Sequence, residues 1–338
     1  MPGQYVLGLD IGGTKCAVVL CAVPKRSESA PLTVLDKLAF PTQTQLGLSH
    51  TLEAIYAAMD TVLAHSGITQ KQLCAIGISC GGPLDHKTGI IYGPPNLYGW
   101  DEVHIVELLE QRYHVRACLQ NDANACALAE WRFGAGRGAS DLVFLTFGTG
   151  MGAGLILNGQ LYCGASDMAG EIGHIRMSRY GPAGYGKIGS FEGFCSGGGI
   201  AQLGRSMVLE AMQRGQPPAF CPALSDLDAL DAKKIAEAAK RGDPLAAEIY
   251  RRCGEKLGEG LSILIDLLNP ERIILGSIFQ RSAELLWPAA ENVIRREALS
   301  CAASACKILP SQLADRIGDY AAVCVALSQL ERIVNHDT

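Results

Sequence analysis

Residues 5–21 read YVLGLDIGGTKCAVVLC, and this stretch decides the fold. Tyr5–Leu9 is an apolar run that stops at Asp10 and the turn Gly12-Gly13. Apolar residues resume at Cys16–Cys21. A glycine pair between two apolar runs is typical of a tight turn between strands. The stretch therefore predicts a β-hairpin with small, acidic and hydroxyl residues at its tip.

A similar pattern occurs more than a hundred residues later. Asp141–Phe147 reads as a strand that runs into Gly148-Thr149-Gly150, and Gly152–Leu157 reads as its hairpin partner. A Rossmann unit is disfavoured, because a helix should follow its glycines and the residues after Gly154 read as strand and turn. Two such hairpins in a chain of 338 residues predict a duplicated architecture of two α/β lobes.

The segments around the hairpins are mostly helical in pattern. Apolar residues at helical spacing predict a helix over Leu48–Ser66, and Leu73–Ile78 reads as a buried strand. Further helices are predicted over Ile200–Arg214, Asp231–Arg241, Pro244–Leu268, Ser282–Glu297 and Tyr320–Val334, with a strand at Arg272–Leu275. Arg214–Ser225 and Gly181–Gly189 read as loops.

Charge and cysteine content narrow the class of protein. The net charge of −5 argues against nucleic acid as the main partner, because phosphate neutralisation needs clustered Lys and Arg. The 13 cysteines are odd in number and most lie among apolar residues, which favours reduced thiols in a reducing compartment. The first strand leaves no room for a signal peptide, and no apolar run has the length of a membrane span. We therefore expect a cytoplasmic protein.

The tip of the first hairpin has the features of a phosphate site. Glycines at Gly12 and Gly13 let backbone N–H groups approach phosphate oxygens, and Thr14-Lys15 adds a hydroxyl donor and a cation. Asp10 places a carboxylate where Mg²⁺ or its waters would lie. The segment lacks the Gly-Lys-Ser/Thr of a Walker A loop. A plain hairpin turn remains the alternative for this tip taken alone.

The second glycine string, Thr146 to Gly154, predicts another phosphate cradle, with Thr149, Gly150 and Gly152 at its tip. Glycines in such strings often mark only close packing of the backbone. Two cradles that face one another across a cleft are better explained by one nucleoside triphosphate bound between them than by chance. The pair therefore favours a nucleotide site between the lobes.

Asn121-Asp122-Ala123-Asn124-Ala125 follows a strand-like segment and opens a helix. Asn and Asp favour such positions as helix caps, and a carboxylate is stabilised there. The functional alternative is that Asp122 accepts a proton from a sugar hydroxyl during phosphoryl transfer. Beside two phosphate cradles we favour the catalytic interpretation.

Polar residues among glycines predict a site for a neutral sugar. Glu171 and His174 are three residues apart in Gly170–His174, and Glu192 follows. Gly82 and Asn96 belong to segments that would form the opposite wall. Such side chains hydrogen-bond hydroxyl groups, although a lone histidine is more often structural.

These motifs occur in the same order as in ROK-family sugar kinases, which the chain resembles from Gly8 to about Ala326. The matching segments are Asp10–Lys15, Asn121–Ala125, Gly148–Gly154 and Ala169–His174. The family includes glucokinases, fructokinases, N-acetylmannosamine kinases and related regulators. The resemblance implies a two-lobed, actin-like (ribonuclease H-like) α/β fold and a homodimer. We place the small lobe at 1–119, joined by a C-terminal helix at 318–338, and the large lobe at 120–317.

The resemblance also implies the reaction, which is ATP-dependent phosphorylation of a hexose or hexosamine hydroxyl, with the 6-hydroxyl expected. It implies Asp122 as the base, Asp10 near Mg²⁺, and the backbone of Gly12–Thr14 and Thr149–Gly152 on the phosphates. It assigns sugar binding to Asn96, Asn121, Asp122, Glu171, His174 and Glu192. Gly276 falls where the family has a glycine-rich turn beside the adenine, although Ser277 follows it here.

One departure from the family pattern concerns zinc. Many members carry Cys-x-Cys-Gly-x-x-Gly-Cys-x-Glu, whose thiolates join a histidine in a tetrahedral zinc site. Here residues 183–192 read AGYGKIGSFE, so the thiolates are gone while the glycines and Glu192 stay. His174 alone cannot hold structural zinc. The sequence therefore predicts no zinc site.

Three alternatives to a sugar kinase remain open. A transcriptional regulator of the same family is disfavoured, because no helix-turn-helix segment is seen ahead of the first strand. A catalytically inactive sugar sensor is disfavoured by Asp122 and both glycine turns. The third is a kinase of the same fold for another small alcohol. The identity of the sugar and of the phosphoryl donor also remains open, because near-identical hexoses are distinguished by pocket geometry.

Overall fold

The computed structural model describes residues 5–23 and 32–336, which form two five-stranded sheets, two short two-stranded sheets and surrounding helices. The strands are β1 (Tyr5–Ile11), β2 (Lys15–Ala22), β3 (Val34–Pro41), β4 (Leu73–Cys80), β5 (Leu84–Asp85), β6 (Ile90–Ile91), β7 (Ala117–Asn121), β8 (Leu142–Leu145), β9 (Ala153–Leu157), β10 (Gln160–Tyr162), β11 (Ala183–Gly184), β12 (Lys187–Ile188), β13 (Arg272–Leu275) and β14 (Lys307–Pro310). The helices are α1 (Gly47–Ser66), α2 (Ile105–Tyr113), α3 (Asp122–Phe133), α4 (Phe191–Phe194), α5 (Gly197–Gln213), α6 (Ala232–Lys240), α7 (Pro244–Leu268), α8 (Ile278–Glu297), α9 (Ser300–Ala305) and α10 (Ile317–His336).

The two large sheets share one topology. The first has the strand order β3-β2-β1-β4-β7, and the second has β10-β9-β8-β13-β14. In each sheet the first three strands form an antiparallel meander, and the last two run parallel to the third. This repeated pattern confirms the predicted duplication, since each glycine turn joins the second and third strands of its meander.

Two helices lie between the sheets, and glycines allow their close approach. A Cβ atom at Gly77 of β4 would lie 2.0 Å from the Ala322 carbonyl oxygen, so α10 rests directly on the first sheet. A Cβ atom at Gly154 of β9 would lie 2.4 Å from the Ala123 carbonyl oxygen, so α3 rests on the second sheet. An apolar cluster of buried residues fills the space between α3 and α10. Because β7 runs straight into α3, the first residue of α3 starts at the edge of the first sheet.

The predicted helices and strands agree with the structure in most segments. Helices α5 and α10 begin three residues earlier than predicted, at Gly197 and Ile317, and two differences are larger. Helix α8 begins at Ile278 instead of Ser282, where the backbone kinks with φ −142° and ψ 25°. The single turn before the kink is too short to give a helical repeat in the sequence. Gly181–Gly189, predicted as a loop, contains the hairpin of β11 and β12.

The longest helix of the described part is α7, with 25 residues. Its inner face buries Cys253, Leu257 and Leu261, and its outer face carries the ion pairs of Glu248 with Arg251 and Arg252. Opposed apolar and charged faces are typical of a helix that covers a globular core. Within residues 5–23 and 32–336, no helix has both the length and the apolar character needed to cross a membrane.

Candidate active site

Asp10 lies near the carboxyl end of β1, in register with Ser79 of β4. Burial raises the pKa of Asp10 from 3.8 to about 6. The hydrogen bond from the Ser79 side chain opposes this rise, and the nearby charge of Asp122 adds to it. A carboxylate held away from water and beside another acid is stabilised by a cation. Asp10 therefore fits the role predicted for it beside Mg²⁺.

Asp10→Asn should stabilise the metal-free protein while impairing its function. The pKa of Asp10 is raised from 3.8 to about 6 in the folded state. Ionisation of Asp10 as the pH rises through this window therefore lowers the free energy of unfolding, and this loss is the penalty. Above pH 6 the penalty amounts to roughly 3 kcal/mol, and below pH 3.8 it vanishes. Urea unfolding at pH 7.5 and pH 4 measures the gain, with Asp228→Asn on an exposed loop as the matched control. An equal effect of Asp10→Asn at both pH values would contradict the assignment.

The first glycine turn connects β1 and β2 and lies against residue 96. The Gly12 N–H donates to the Lys15 carbonyl oxygen at 3.1 Å, which closes the turn. A Cβ atom at Gly13 would lie 2.4 Å from the Asn96 Cβ and 2.6 Å from the Asn96 carbonyl oxygen. Thr14 and Lys15 are exposed at the tip. A side chain at position 13 would therefore push the turn away from the segment predicted to bind sugar.

Thr42 holds this turn in place, a role that sequence reasoning missed. Its hydroxyl is buried and donates to the Gly12 carbonyl oxygen, and its N–H donates to the Thr14 carbonyl oxygen at 3.0 Å. The Cys16 thiol lies 3.4 Å from the same hydroxyl. Thr42 follows β3, so the contact spans about thirty residues, and nothing local in the sequence signals it. The partnership of Asp10 with Ser79 was missed for the same reason.

Asp122 is the first residue of α3, and Asn121 caps that helix. The Asn121 Oδ1 accepts a hydrogen bond from the Ala123 N–H at 3.0 Å, and the Asp122 Oδ1 accepts from the same N–H at 2.8 Å. The residue Asp122 keeps a solvent-exposed surface, although many protein atoms lie close to its carboxylate. Burial raises its pKa, and the hydrogen bond from the Ala123 N–H opposes the rise. The cap function thus belongs mainly to Asn121, and the carboxylate of Asp122 remains accessible to a ligand.

The second glycine turn connects β8 and β9 beside the start of α3. The Thr146 hydroxyl accepts from the Gly152 N–H at 2.8 Å, which fixes the base of the turn. The Glu192 carboxylate accepts from the Met151 N–H at 3.0 Å. A Cβ atom at Gly150 would lie 2.8 Å from that same carboxylate. Thr149 is exposed at the tip of the turn.

Glu171, one of the residues predicted to bind sugar, lies within electrostatic range of Asp122. Burial raises the pKa of Glu171, and the charges of Asp122 and Glu192 raise it further, whereas His174 lowers it. His174 is exposed, and its ring meets that of Tyr185 edge to face at 6.4 Å. Glu171 and these three neighbours therefore form one group. Glu192 joins this group to the second glycine turn.

Two further predicted residues lie next to this group. A Cβ atom at Gly82 would lie 3.5 Å from the Asn121 side-chain nitrogen, so Gly82 lies at the start of α3. Gly276 precedes Ser277, whose φ of +51° is unusual for a residue with a side chain. A Cβ atom at Gly148 would lie 3.7 Å from the Ser277 hydroxyl. The turn predicted to contact adenine therefore lies beside the second glycine turn.

A scan against protein-family models gives one match, described as the ROK family, over residues 6–328. The chain belongs to the ROK family. Among curated ROK relatives, the glucokinase of Halalkalibacterium halodurans is 31% identical over 85% of this chain and 84% of its own. The DNA-binding transcriptional dual regulator NagC of Escherichia coli is 31% identical over 94% of this chain and 75% of its own.

A solved ROK structure confirms the predicted fold class. The ROK glucokinase of Streptomyces griseus, in complex with glucose and AMPPNP, has a TM-score of 0.73 and 28% identity to this chain. The match covers 96% of this chain and 99% of that protein. ROK kinases have the actin-like ATPase fold, and the duplicated sheets of this chain have the same architecture.

The segment that aligns with the ROK zinc motif is a hydrogen-bonded hairpin in this chain. Strands β11 and β12 pair through a two-residue turn in which Tyr185 and Gly186 both have positive φ. The Gln202 side chain accepts from the Ala183 N–H at 3.1 Å and donates to the Ala183 carbonyl oxygen at 2.9 Å. The Lys187 ammonium donates to the His174 carbonyl oxygen at 2.7 Å. These bonds fix the hairpin beside His174 without any cysteine in residues 183–192.

Removal of metal should leave the stability of this ROK protein unchanged. Because hydrogen bonds hold the hairpin, chelator washing should shift Tm by less than about 2 °C, within about 1 kcal/mol for a protein of this size. Gln202→Ala serves as the positive control and should lower Tm, because it removes both bonds to Ala183. Differential scanning calorimetry and elemental analysis give the two readouts. About one zinc ion per chain after chelator washing would refute the prediction.

Proposed function

We propose that this protein is an ATP-dependent sugar kinase that phosphorylates the 6-hydroxyl of a hexose or hexosamine. The observation that carries the proposal is the position of Asp122. Asp122 is the exposed first residue of α3, within electrostatic range of Asp10 at the first glycine turn and of Glu171. The second glycine turn packs on the same end of α3 through Gly154. Similarity to glucokinases supports the same activity.

The two glycine turns would hold the phosphates of ATP. In the first, the backbone of Gly12 and Gly13 with the Thr14 hydroxyl and the Lys15 ammonium would bind phosphate oxygens. In the second, Thr149, Gly150 and Gly152 would do the same. Gly276 would lie beside the adenine. Asp10 would hold Mg²⁺ through a water molecule, and the ion would supply neutralisation of phosphate charge.

Asp122 would act as the base. Its carboxylate accepts the proton of the sugar hydroxyl as the hydroxyl oxygen forms a bond to the γ-phosphorus. The bond from that phosphorus to the β–γ bridging oxygen breaks, and its electron pair leaves with ADP. A raised pKa suits this role, because a carboxylate in its deprotonated form then binds a proton more strongly.

The hydroxyl groups of the sugar would be bound from both sides of Asp122. Asn96 and the backbone at Gly82 would contact the ring from the small lobe, and Asn121 would contact it from the start of α3. Glu171, His174 and Glu192 would contact it from the second lobe. The hydrogen bond of Glu192 to the Met151 N–H supports a link between sugar binding and the second phosphate turn.

We further propose that the lobes divide as predicted, with residues 1–119 and the helix at 318–338 in the small lobe and 120–317 in the large lobe. The close packing of α10 on Gly77 of the first sheet supports the assignment of the C-terminal helix. Residues 1–4, 24–31 and 337–338 lie outside the described residues. A homodimer and a cytoplasmic location remain predictions.

A sugar-responsive regulator is the second candidate function. The NagC match favours it, because it covers more of this chain than the glucokinase match does. A non-catalytic sugar-binding protein of the same fold would give the same result in a binding assay. A measurement of turnover distinguishes the regulator and the non-catalytic binding protein from a kinase.

ADP release in a coupled assay tests the kinase proposal. The assay contains Mg-ATP and a panel of neutral hexoses and hexosamines, without added zinc. Calorimetry with the same sugars gives binding independently of turnover. Sugar-dependent ADP release supports the kinase. Sugar binding without any ADP release above the background without sugar would refute phosphorylation of the sugars that bind and favour the regulator.

A further inference from the structure

A cavity of about 570 Å³ opens beside His174, on the outer side of the hairpin of β11 and β12. Its volume lies in the range of small-molecule sites. Three cationic side chains line it, from Arg176, Arg179 and Lys187, and none of its lining residues is acidic. A cluster of positive charge is unexpected in a chain with a net charge of −5.

Neutral groups, rather than acidic side chains, contact the three cations. The Arg176 guanidinium donates to the Ile188 carbonyl oxygen at 2.7 Å, and the Lys187 ammonium donates to the His174 carbonyl oxygen at 2.7 Å. The Arg179 guanidinium lies 5.4 Å from the ring centre of Tyr180. These partners are neutral, and the ion pairs found among the described residues include none of the three cations. Fixed cations with unused donors favour an anionic ligand.

Aromatic rings complete the lining of the cavity. Tyr180 and Tyr185 are 71% and 73% exposed, which is high for such large side chains. An exposed tyrosine offers an apolar ring face together with a polar hydroxyl. A carbohydrate has the same mixture of C–H faces and hydroxyl groups. The lining therefore combines contacts for an anionic group with contacts for a sugar ring.

The cavity continues the site that holds Asp122. Glu171 lies within electrostatic range of both Asp122 and His174. His174 also lines the cavity. In the proposed function Asp122 and His174 both contact the sugar, so a substituent that enters the cavity would be attached near His174. We take this as the end of the sugar opposite the hydroxyl that Asp122 deprotonates.

We propose that the cavity binds the acidic group of the acceptor, so that the substrate is a sugar with a carboxylate or phosphate at that opposite end. This inference rests on the proposed sugar kinase function for the orientation of the substrate. For phosphorylation at the 6-hydroxyl, the acidic group is on carbon 1. The guanidinium groups of Arg176 and Arg179 bind its oxygens, and Lys187 adds a third positive charge.

Calorimetry on the full chain tests the site with glucose, gluconate, glucose 1-phosphate and inorganic phosphate. At least one of the two acidic sugars should bind tenfold or more tightly than glucose, since charge-assisted hydrogen bonds are the strong ones. In Arg176→Gln/Arg179→Gln this preference should fall at least tenfold. Arg214→Gln, on an exposed arginine that pairs with Glu210, is the matched control and should keep it. Lys187→Gln replaces the double variant if that variant fails to fold.

Three results would overturn the inference. Equal affinity for charged and neutral sugars is the first, and a preference that survives both the arginine and the lysine variants is the second. Inorganic phosphate that binds as tightly as glucose 1-phosphate is the third, because the sugar ring would then contribute nothing.

ADP release separates this inference from the proposed function. Tight binding of an acidic sugar without turnover of any sugar would refute the kinase and leave the anion site intact. Turnover of neutral hexoses alone would support the kinase and refute the anion site.

Discussion

Asp122→Asn should lower kcat by about 10²–10⁴-fold, the usual range for loss of a general base, while the affinity for sugar changes much less. The amide oxygen can still accept the hydrogen bond of the Ala123 N–H, so the start of α3 should be preserved. Removal of a carboxylate whose pKa is raised by burial should not destabilise the fold. A loss of turnover at unchanged Tm would therefore report the chemistry alone.

Steady-state kinetics and calorimetry measure the two effects of this substitution. Asp228→Asn makes the same chemical change on an exposed loop and should keep full turnover. In the wild type, the rate should rise with pH through the raised pKa of Asp122, at a higher pH than for an ordinary aspartate. Near-normal turnover of Asp122→Asn would remove Asp122 from the role of base.

Glu130→Ala should destabilise the protein by about 3–5 kcal/mol, the usual cost of disrupting a buried charged network. Glu130 lies near the end of α3 and is fully buried. Its carboxylate accepts from the Ser311 hydroxyl at 2.6 Å, the Leu313 N–H at 2.9 Å and the Ala135 N–H at 2.7 Å. The Gln312 N–H adds a longer bond of 3.3 Å. Loss of the carboxylate would leave the buried Ser311 hydroxyl and the buried Leu313 N–H without this acceptor.

Urea unfolding at pH 7 measures the change in free energy. Glu130→Gln keeps the shape of the side chain and should cost less, because one oxygen acceptor remains. Glu237→Ala on the exposed face of α6 is the control and should change stability by less than about 0.5 kcal/mol. A loss below about 1 kcal/mol for Glu130→Ala would show that the network does not hold α3 to the segment before α10.

The duplicated fold could be predicted because its key residues are glycines with local reasons to be there. Gly12 and Gly13 form a turn between two apolar runs, and the glycines after Phe147 repeat that pattern. Periodic apolar residues likewise gave α1 and α7 with bounds close to those observed. In each case the signal lies within a short window of sequence, where turn chemistry and amphipathic spacing act directly.

The partners that support the site could not be predicted, because they are distant in the chain. Thr42 fixes the turn at Gly12, and Ser79 hydrogen-bonds Asp10, yet neither residue has a distinctive local pattern. The hairpin of β11 and β12 was predicted as a loop because its turn begins with Tyr185 at a φ of +45°. Asparagine or glycine is usual at such a position, so the sequence gives no turn signal there.

The most direct test of the kinase proposal is ³¹P NMR of the protein with Mg-ATP and one sugar at a time. For a sugar kinase, the γ-phosphate resonance of ATP should be replaced by that of a sugar phosphate monoester, with one ADP formed per monoester. Persistence of ATP with every neutral and acidic sugar would contradict the account. So would its conversion to ADP and inorganic phosphate without any sugar ester.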